Sequence, residues 1–301
     1  MPRPKPNIPK SATRASAPGS RSTSERAGGP CRRAREDRSS APLIDSHAHV
    51  GDEAFDADRN DVLHRCVEAG LTGIVCVGQD VDTSRRAIAM QHAGFAGLEF
   101  AASAGLHPHH AKDWEATHAA LEELAERPDV FAVGETGLDF HYNYSPREEQ
   151  RRSFRWHLRL ASRLRKPVVV HVREAHREAL DDMAAEPGAL CVIHCFTGSR
   201  AEAERYLDLG AYISFSGIVT FKNAQDLRDA ALCVPANRLM VETDSPLLAP
   251  VPMRGKRCEP SFVRHTLEIL AKVRGSRVEE IAAATAENAR AVFFAASEGA
   301  R

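Results

Sequence analysis

The sequence predicts an α/β fold, a TIM (β/α)8 barrel preceded by a disordered N-terminal extension, and three observations carry that expectation. From Leu43 onward, short apolar runs alternate with segments of helical period, the pattern of repeated βα units. Two of these runs, 73–77 and 167–170, are almost entirely apolar, as strands buried on both faces are. Six residues that make good metal ligands fall where an apolar run gives way to a polar or glycine-containing loop: His47, His49, Glu135, His171, His194 and Asp244. A barrel of parallel strands accounts for that placement, because its strand ends converge on one mouth where active sites are built.

The predicted strands are 43–46, 73–77, 100–105, 131–134, 167–170, 191–193, 212–214 and 239–242. The helices between them are legible. Over 113–127, Trp114, Leu121, Leu124 and Ala125 share one stripe. Ser145-Pro146-Arg147-Glu148 reads as a capping box with proline at the first helical position. The helix it opens spaces Phe154, Leu158, Ala161 and Leu164 at helical intervals. Segments 261–273 and 278–294 close the chain with more helix, and no internal repeat is evident.

The barrel is assigned to residues 43–301, since α/β barrels run near ~250 residues as one unit. Residues 1–42 are rich in Arg, Ser, Pro, Ala and Gly and nearly free of large apolar side chains. Such a segment cannot bury enough surface to offset its ordering entropy and is expected to be disordered. Its first 24 residues lack any acid, a property of transit peptides, but Pro2, Pro4, Pro6 and Pro9 break an amphipathic helix and there is no apolar secretory core.

The net charge of −1 hides an asymmetry: residues 1–42 hold ten Lys/Arg against three acids, so the remainder carries a net −8. That acidic body argues against a general nucleic-acid clamp, which presents a basic face. A polyanionic substrate must then be attracted by metals and a few local cations. The seven cysteines are odd in number and form no C-x-x-C pair, and Cys76 and Cys191 lie inside apolar runs. A reducing, cytoplasmic setting without a disulfide framework fits that usage. No apolar run approaches the ~18–20 residues of a membrane helix. A monomer is compatible with the sequence, which does not fix an oligomeric state.

Each ligand candidate also has a bland reading. His47 and His49 are two apart at a strand end, so both imidazoles point to one side and can grip one cation, although H-x-H also arises by chance. Glu135 leaves a buried strand inside Val133-Gly134-Glu135-Thr136-Gly137, where a carboxylate needs a metal or a salt-bridge partner. His171 and His194 end apolar runs on consecutive predicted strands, where a single histidine would more often be a satisfied core residue. Asp244, before Ser245-Pro246, is a ligand, a proton acceptor or a turn former. Asp139 is a candidate for orienting a ligand. The joint order across strand ends one, four, five, six and eight is the specific signal. Imidazole and carboxylate donors suit Zn, Mn, Fe, Ni or, more weakly, Mg.

At these residues the chain resembles the TatD-type metal-dependent deoxyribonucleases of the amidohydrolase superfamily. The matching stretches are 44–49, Gly105-Leu106-His107-Pro108-His109, 134–139, His194-Cys195-Phe196-Thr197-Gly198, 242–246 and Arg254-Gly255-Lys256, and the resemblance spans about 43 to 294. It implies a TIM barrel, two divalent metal ions per subunit and hydrolysis of phosphodiester bonds in DNA, with an exonuclease on single strands as the expected form. One metal would take His47, His49 and Asp244, and Glu135 would bridge to a second that also takes His171 and His194. Two positions depart from the family pattern. Cys258 stands where an Asn commonly precedes Glu-Pro, and Val172 stands where a small hydroxyl residue follows the histidine. The first bears on a substrate or loop-fixing contact rather than on the metals.

The expected chemistry is attack of a metal-activated water on phosphorus, with Asp244 and Glu135 as the catalytic carboxylates and Asp244 accepting the proton. His107, His109, Arg173, Lys222, Arg254 and Lys256 are candidate substrate contacts. Tyr142 and Tyr144 are candidates for stacking on bases, whereas Phe196 is expected to pack in the core. The rival is a metal-dependent amidohydrolase or esterase, including D-aminoacyl-tRNA deacylation. Many such amidohydrolases bridge their metals with a carboxylated lysine on strand four, where this chain has Glu135 and no lysine.

Overall fold

The computed structural model describes residues 41–295. All but Ala41 and Pro42 of the expected disordered extension therefore lies outside the described residues. Among the described residues, eight strands run parallel in sequence order: β1 (Leu43–Ala48), β2 (Leu71–Cys76), β3 (Glu99–Ala104), β4 (Val130–Asp139), β5 (Val168–Arg173), β6 (Cys191–Ile193), β7 (Tyr212–Phe215) and β8 (Leu239–Val241). The seam between β1 and β8 is drawn together above the ladder by an Ala48–Ser245 bridge, and below it by the Ser46 hydroxyl donating to the Val241 carbonyl. Helices α1 (Arg59–Glu68), α2 (Val81–Ala93), α3 (Trp114–Glu126), α4 (Arg147–Leu164), α5 (His176–Ala185), α6 (Arg200–Asp208), α7 (Gln225–Cys233) and α8 (Val263–Arg274) follow the successive strands, and α9 (Val278–Phe293) comes last. The predicted barrel is the observed one.

Two apolar cores result. The larger lies between strands and helices. The smaller fills the barrel with Ile44, Val75, Ala101, Ala132, Val169, Val192, Tyr212 and Met240, one from each strand. Ala286, Ala289 and Phe293 of α9 and the following Phe294 pack onto that interior layer. The Asn288 amide donates to the Ala236 and Leu239 carbonyls, which fixes α9 at the N-terminal end of β8. One barrel end is thereby plugged with hydrocarbon, and chemistry is left to the other.

Two local expectations need correction. β4 and β5 run well past their apolar cores, pairing Gly137 with His171 and Asp139 with Arg173 after a register irregularity between Val133 and Thr136. Glu135 and His171 are therefore inside strands rather than just beyond them. Ladder hydrogen bonds continue where the hydrophobic pattern stops. Ser145 does not cap α4, whose N-cap is Pro146 without a side-chain cap bond. Its hydroxyl instead donates to the His109 carbonyl and accepts from the Lys112 amide. The loop before α3 outcompetes the helix for that hydroxyl.

Candidate metal centre

The six ligand candidates meet in one cluster at the C-terminal end of the barrel. Glu135 is 1% exposed and divides them between its two carboxylate oxygens. Oε2 faces His47 Nε2 at 3.5 Å and His49 Nε2 at 3.8 Å, and Asp244 Oδ1 lies 3.5 and 3.4 Å from the same two nitrogens. Oε1 faces His194 Nε2 at 2.7 Å, His171 Nδ1 at 3.1 Å and His107 Nε2 at 3.4 Å.

These donors fit divalent cations. The paired nitrogens His47 Nε2–His49 Nε2 and His171 Nδ1–His194 Nε2 are each 3.2 Å apart. Two ligands held ~2.0–2.1 Å from one ion at a near-tetrahedral angle are spaced by about that much. His49 donates its Nδ1 proton to the Val77 carbonyl, which leaves the Nε2 lone pair turned into the cluster. His47 Nδ1, His171 Nε2 and Glu242 Oε2 are buried without a hydrogen-bond partner.

Electrostatics tell the same story. Burial would push the Glu135 carboxyl up, but His194, His107 and His171 outweigh it and hold it well below the usual carboxylate range. Burial likewise opposes ionisation of Asp244, and His49 and His47 overcome it. His107 is driven well below the ordinary imidazole range by burial, so it is neutral. Because its Nδ1 accepts the His109 amide proton, its own proton sits on Nε2.

Several supporting residues escaped the sequence reading. Glu242, fully buried, takes the Cys195 amide at 2.6 Å and lies 3.3 Å from His194 Nδ1, so it orients that ring. It carries the same signal that marks Glu135, a carboxylate at the end of an apolar run. Asp45 accepts from the His47 and Thr243 amides and from the Thr243 hydroxyl, tying the β1 and β8 segments that bear His47 and Asp244. Burial pushes its carboxyl up to about 8. Gln79 donates to Glu135 Oε2 at 3.1 Å. Asp139, which the sequence did single out, accepts from His109 at 2.8 Å and stands 3.6 Å from His171 Nε2.

The centre forms the floor of a cavity of about 860 Å3. Five carboxylates line it (Glu135, Asp139, Glu174, Glu202 and Asp244), with Arg173 the only Lys or Arg among the described lining residues. Phosphate cannot enter such a cavity favourably unless cations offset those acids. His107, His109 and Arg173 reach the cavity, but Lys222, Arg254 and Lys256 do not line it and are exposed. Arg254 instead sits over the Phe221 ring at 3.9 Å. Phe196 packs against His176, Tyr206 and Phe215. Cys258 is buried and donates its amide to the Pro246 carbonyl, so that departure bears on the loop after β8 rather than on the cavity. Val172 is buried at the cavity wall. The six described cysteines are free thiols. Among the described residues, no helix is long and apolar enough to cross a membrane.

Known proteins match this architecture along its length. A family model described as TatD related DNase matches residues 44–294. The 3'-5' ssDNA/RNA exonuclease TatD of Erwinia amylovora is 41% identical over 261 residues, covering 83% of this chain and 99% of the relative. The uncharacterized metal-dependent hydrolase YcfH of Escherichia coli K12 is 41% identical over 256 residues, 83% of this chain and 95% of its own. The crystal structure of YJJV, a TatD homolog from the same organism, superposes with a TM-score of 0.77 at 28% identity, covering 83% of this chain and 97% of that one.

Proposed function

The chain belongs to the TatD related DNase family and is a metal-dependent hydrolase, and from that premise we propose that it is a divalent-metal-dependent exonuclease removing nucleotides from the 3′ end of single-stranded DNA, and of RNA as well. The observation that carries the proposal is the division of labour on Glu135, whose two oxygens each face a separate set of imidazoles. We assign His47, His49 and Asp244 to one cation and His171 and His194 to a second, with Glu135 between them. When bound, such a pair supplies a hydroxide nucleophile near neutral pH and charge to balance the phosphate.

The chain's own groups do the rest. Asp244 Oδ1, within 3.5 Å of both His47 and His49 nitrogens, orients the attacking water and accepts its proton. His107, neutral with its proton on Nε2, donates to a phosphate oxygen lying over Glu135. Arg173 contributes the cavity's lone guanidinium to the next phosphate. Glu242 holds His194 in orientation, and the Asp139 carboxylate lies near the outer nitrogen of His171 without a hydrogen bond to it. The Erwinia relative's named activity favours phosphodiesters over the amide and aminoacyl-ester substrates of the rival reading.

The test is digestion of 5′-labelled single strands by purified full-length protein, with and without chelator. Stepwise shortening from the 3′ end that chelator abolishes is expected. No shortening by metal-loaded protein, or shortening indifferent to chelator, overturns the proposal.

A further inference from the structure

Above the metal centre the cavity has two apolar walls of different chemistry. One stands on the loop after β4, where Tyr142 lines the cavity and Tyr144, outside that lining, stacks on it. There Asn143 takes a left-handed turn, with φ of 50°, and its amide donates to the Phe140 carbonyl. That turn lays Tyr142 and Tyr144 against each other, with ring centroids 5.3 Å apart and planes within 9°. The two residues are 46% and 59% exposed. They are also held in place: His109 meets both edge-on, and the Arg173 guanidinium lies over Tyr142 at 4.6 Å. The second wall stands on the loops after β7 and β8, where Ile218, Leu247 and Leu248 line the same cavity and Leu247 is 58% exposed. In an eight-stranded barrel ordered by sequence, strands four and eight are diametrically opposed. The two walls therefore face each other across the mouth, with the ligand cluster between and below them.

We propose that these walls form a base clamp: the aromatic pair stacks on the unpaired base next to the phosphate being cut, and the leucine wall closes over its other side. The inference rests on the nuclease reading for what lies below the clamp, but the binding it describes can be measured apart from cleavage. A base inside a duplex has both faces covered by its neighbours and its edge paired, so it cannot enter between two walls. An unpaired terminal base offers both faces. Stacking on aromatic side chains tolerates any base, because every base has a π-face. Arg173 lies over the Tyr142 ring and would turn to the backbone charge of the same nucleotide, which frees that ring for the base. Exposed, mutually braced rings at the mouth of an acidic cavity are explained by such an occupant, whereas core packing would have buried them.

The experiment uses the full chain with its metal and a short single strand whose 3′-terminal base is 2-aminopurine and whose last linkage is a phosphorothioate, which slows turnover. Wild type is expected to quench the terminal 2-aminopurine on binding. Tyr142→Ala/Tyr144→Ala should lose the quench and bind about ten- to a hundredfold more weakly. Tyr142→Phe/Tyr144→Phe should retain both, and Leu247→Ser should show a smaller loss of affinity. A strand ending in a baseless sugar should bind wild type and the alanine variant equally. The clamp is overturned if the alanine variant keeps wild-type quenching and affinity, or if wild type quenches an internal 2-aminopurine as strongly as a terminal one. Digestion of unmodified strands separates the two readings. Cleavage without quenching removes the clamp alone, and quenching without cleavage by metal-loaded protein removes the nuclease.

Discussion

The two ends of the barrel interior are equally hidden from solvent and built on opposite principles. At the plugged end, Ile44, Val169, Val192 and Met240 meet Phe293 in hydrocarbon contact, each at most 2% exposed. At the mouth, His47, Glu135, His194 and Glu242 are at most 3% exposed, yet they crowd nitrogens and carboxylates together and leave buried polar atoms unpaired. The first arrangement stabilises the fold and does nothing else. The second costs stability wherever its polar groups lack partners, and its facing imidazole nitrogens, 3.2 Å apart in each pair, are spaced as ligands of shared cations. Burial alone does not separate core from site; the chemistry of the buried atoms does.

That contrast can be broken from either end. The largest effect is expected at the mouth. Asp244→Asn should lower kcat about 10³- to 10⁴-fold while thermal unfolding followed by circular dichroism shows the fold retained. Near-wild-type turnover in a preparation shown to hold its metal would remove Asp244 from its role. At the plugged end, Phe293→Ala should cost about 3–5 kcal/mol in denaturant unfolding and leave kcat unchanged; a lost kcat in folded protein would mean the two ends are not independent.

His157 on α4 is fully buried, accepting the Leu106 amide on Nε2 and donating Nδ1–H to the Ser153 carbonyl. It braces the loop that carries His107. Burial pushes its pKa down to about 4, against about 6.5 in the unfolded chain. Its contribution is therefore full above pH 6.5 and is lost as pH falls from there through 4, because only the unfolded chain binds the proton in that window. The loss totals about 3 kcal/mol, and stability measured across the window should flatten in His157→Gln, which keeps an acceptor for Leu106. An unchanged slope would deny the buried neutral ring. The smallest effect is that of chelation, which should lower the wild-type stability by about 2–3 kcal/mol at ordinary metal excess. Glu135→Gln should respond less, and equal responses would place the metal elsewhere.

The eight strands were legible because buried parallel strands are written as apolar runs, and the ligand candidates stood out because each comes where such a run ends. What hid from the sequence depended on partners distant along the chain. The last four residues of β4 exist because β5 pairs with them, as Gly137 does with His171. Ser145 matches a capping pattern, yet its hydroxyl is taken by His109 and Lys112. Glu242 carries the same local signal as Glu135, but only the fold shows that it lies behind His194. Lys222, Arg254 and Lys256 have the right charge on loops that carry them outside the cavity, and charge in a sequence says nothing about direction.

The claim on which the account turns is that Glu135 stands between two cation sites. Metal analysis of the purified full chain, wild type beside Glu135→Gln, measures it directly. Two divalent ions per chain in wild type and fewer in the variant are expected. A single ion or none in wild type after metal loading, or a content indifferent to the substitution, would contradict it.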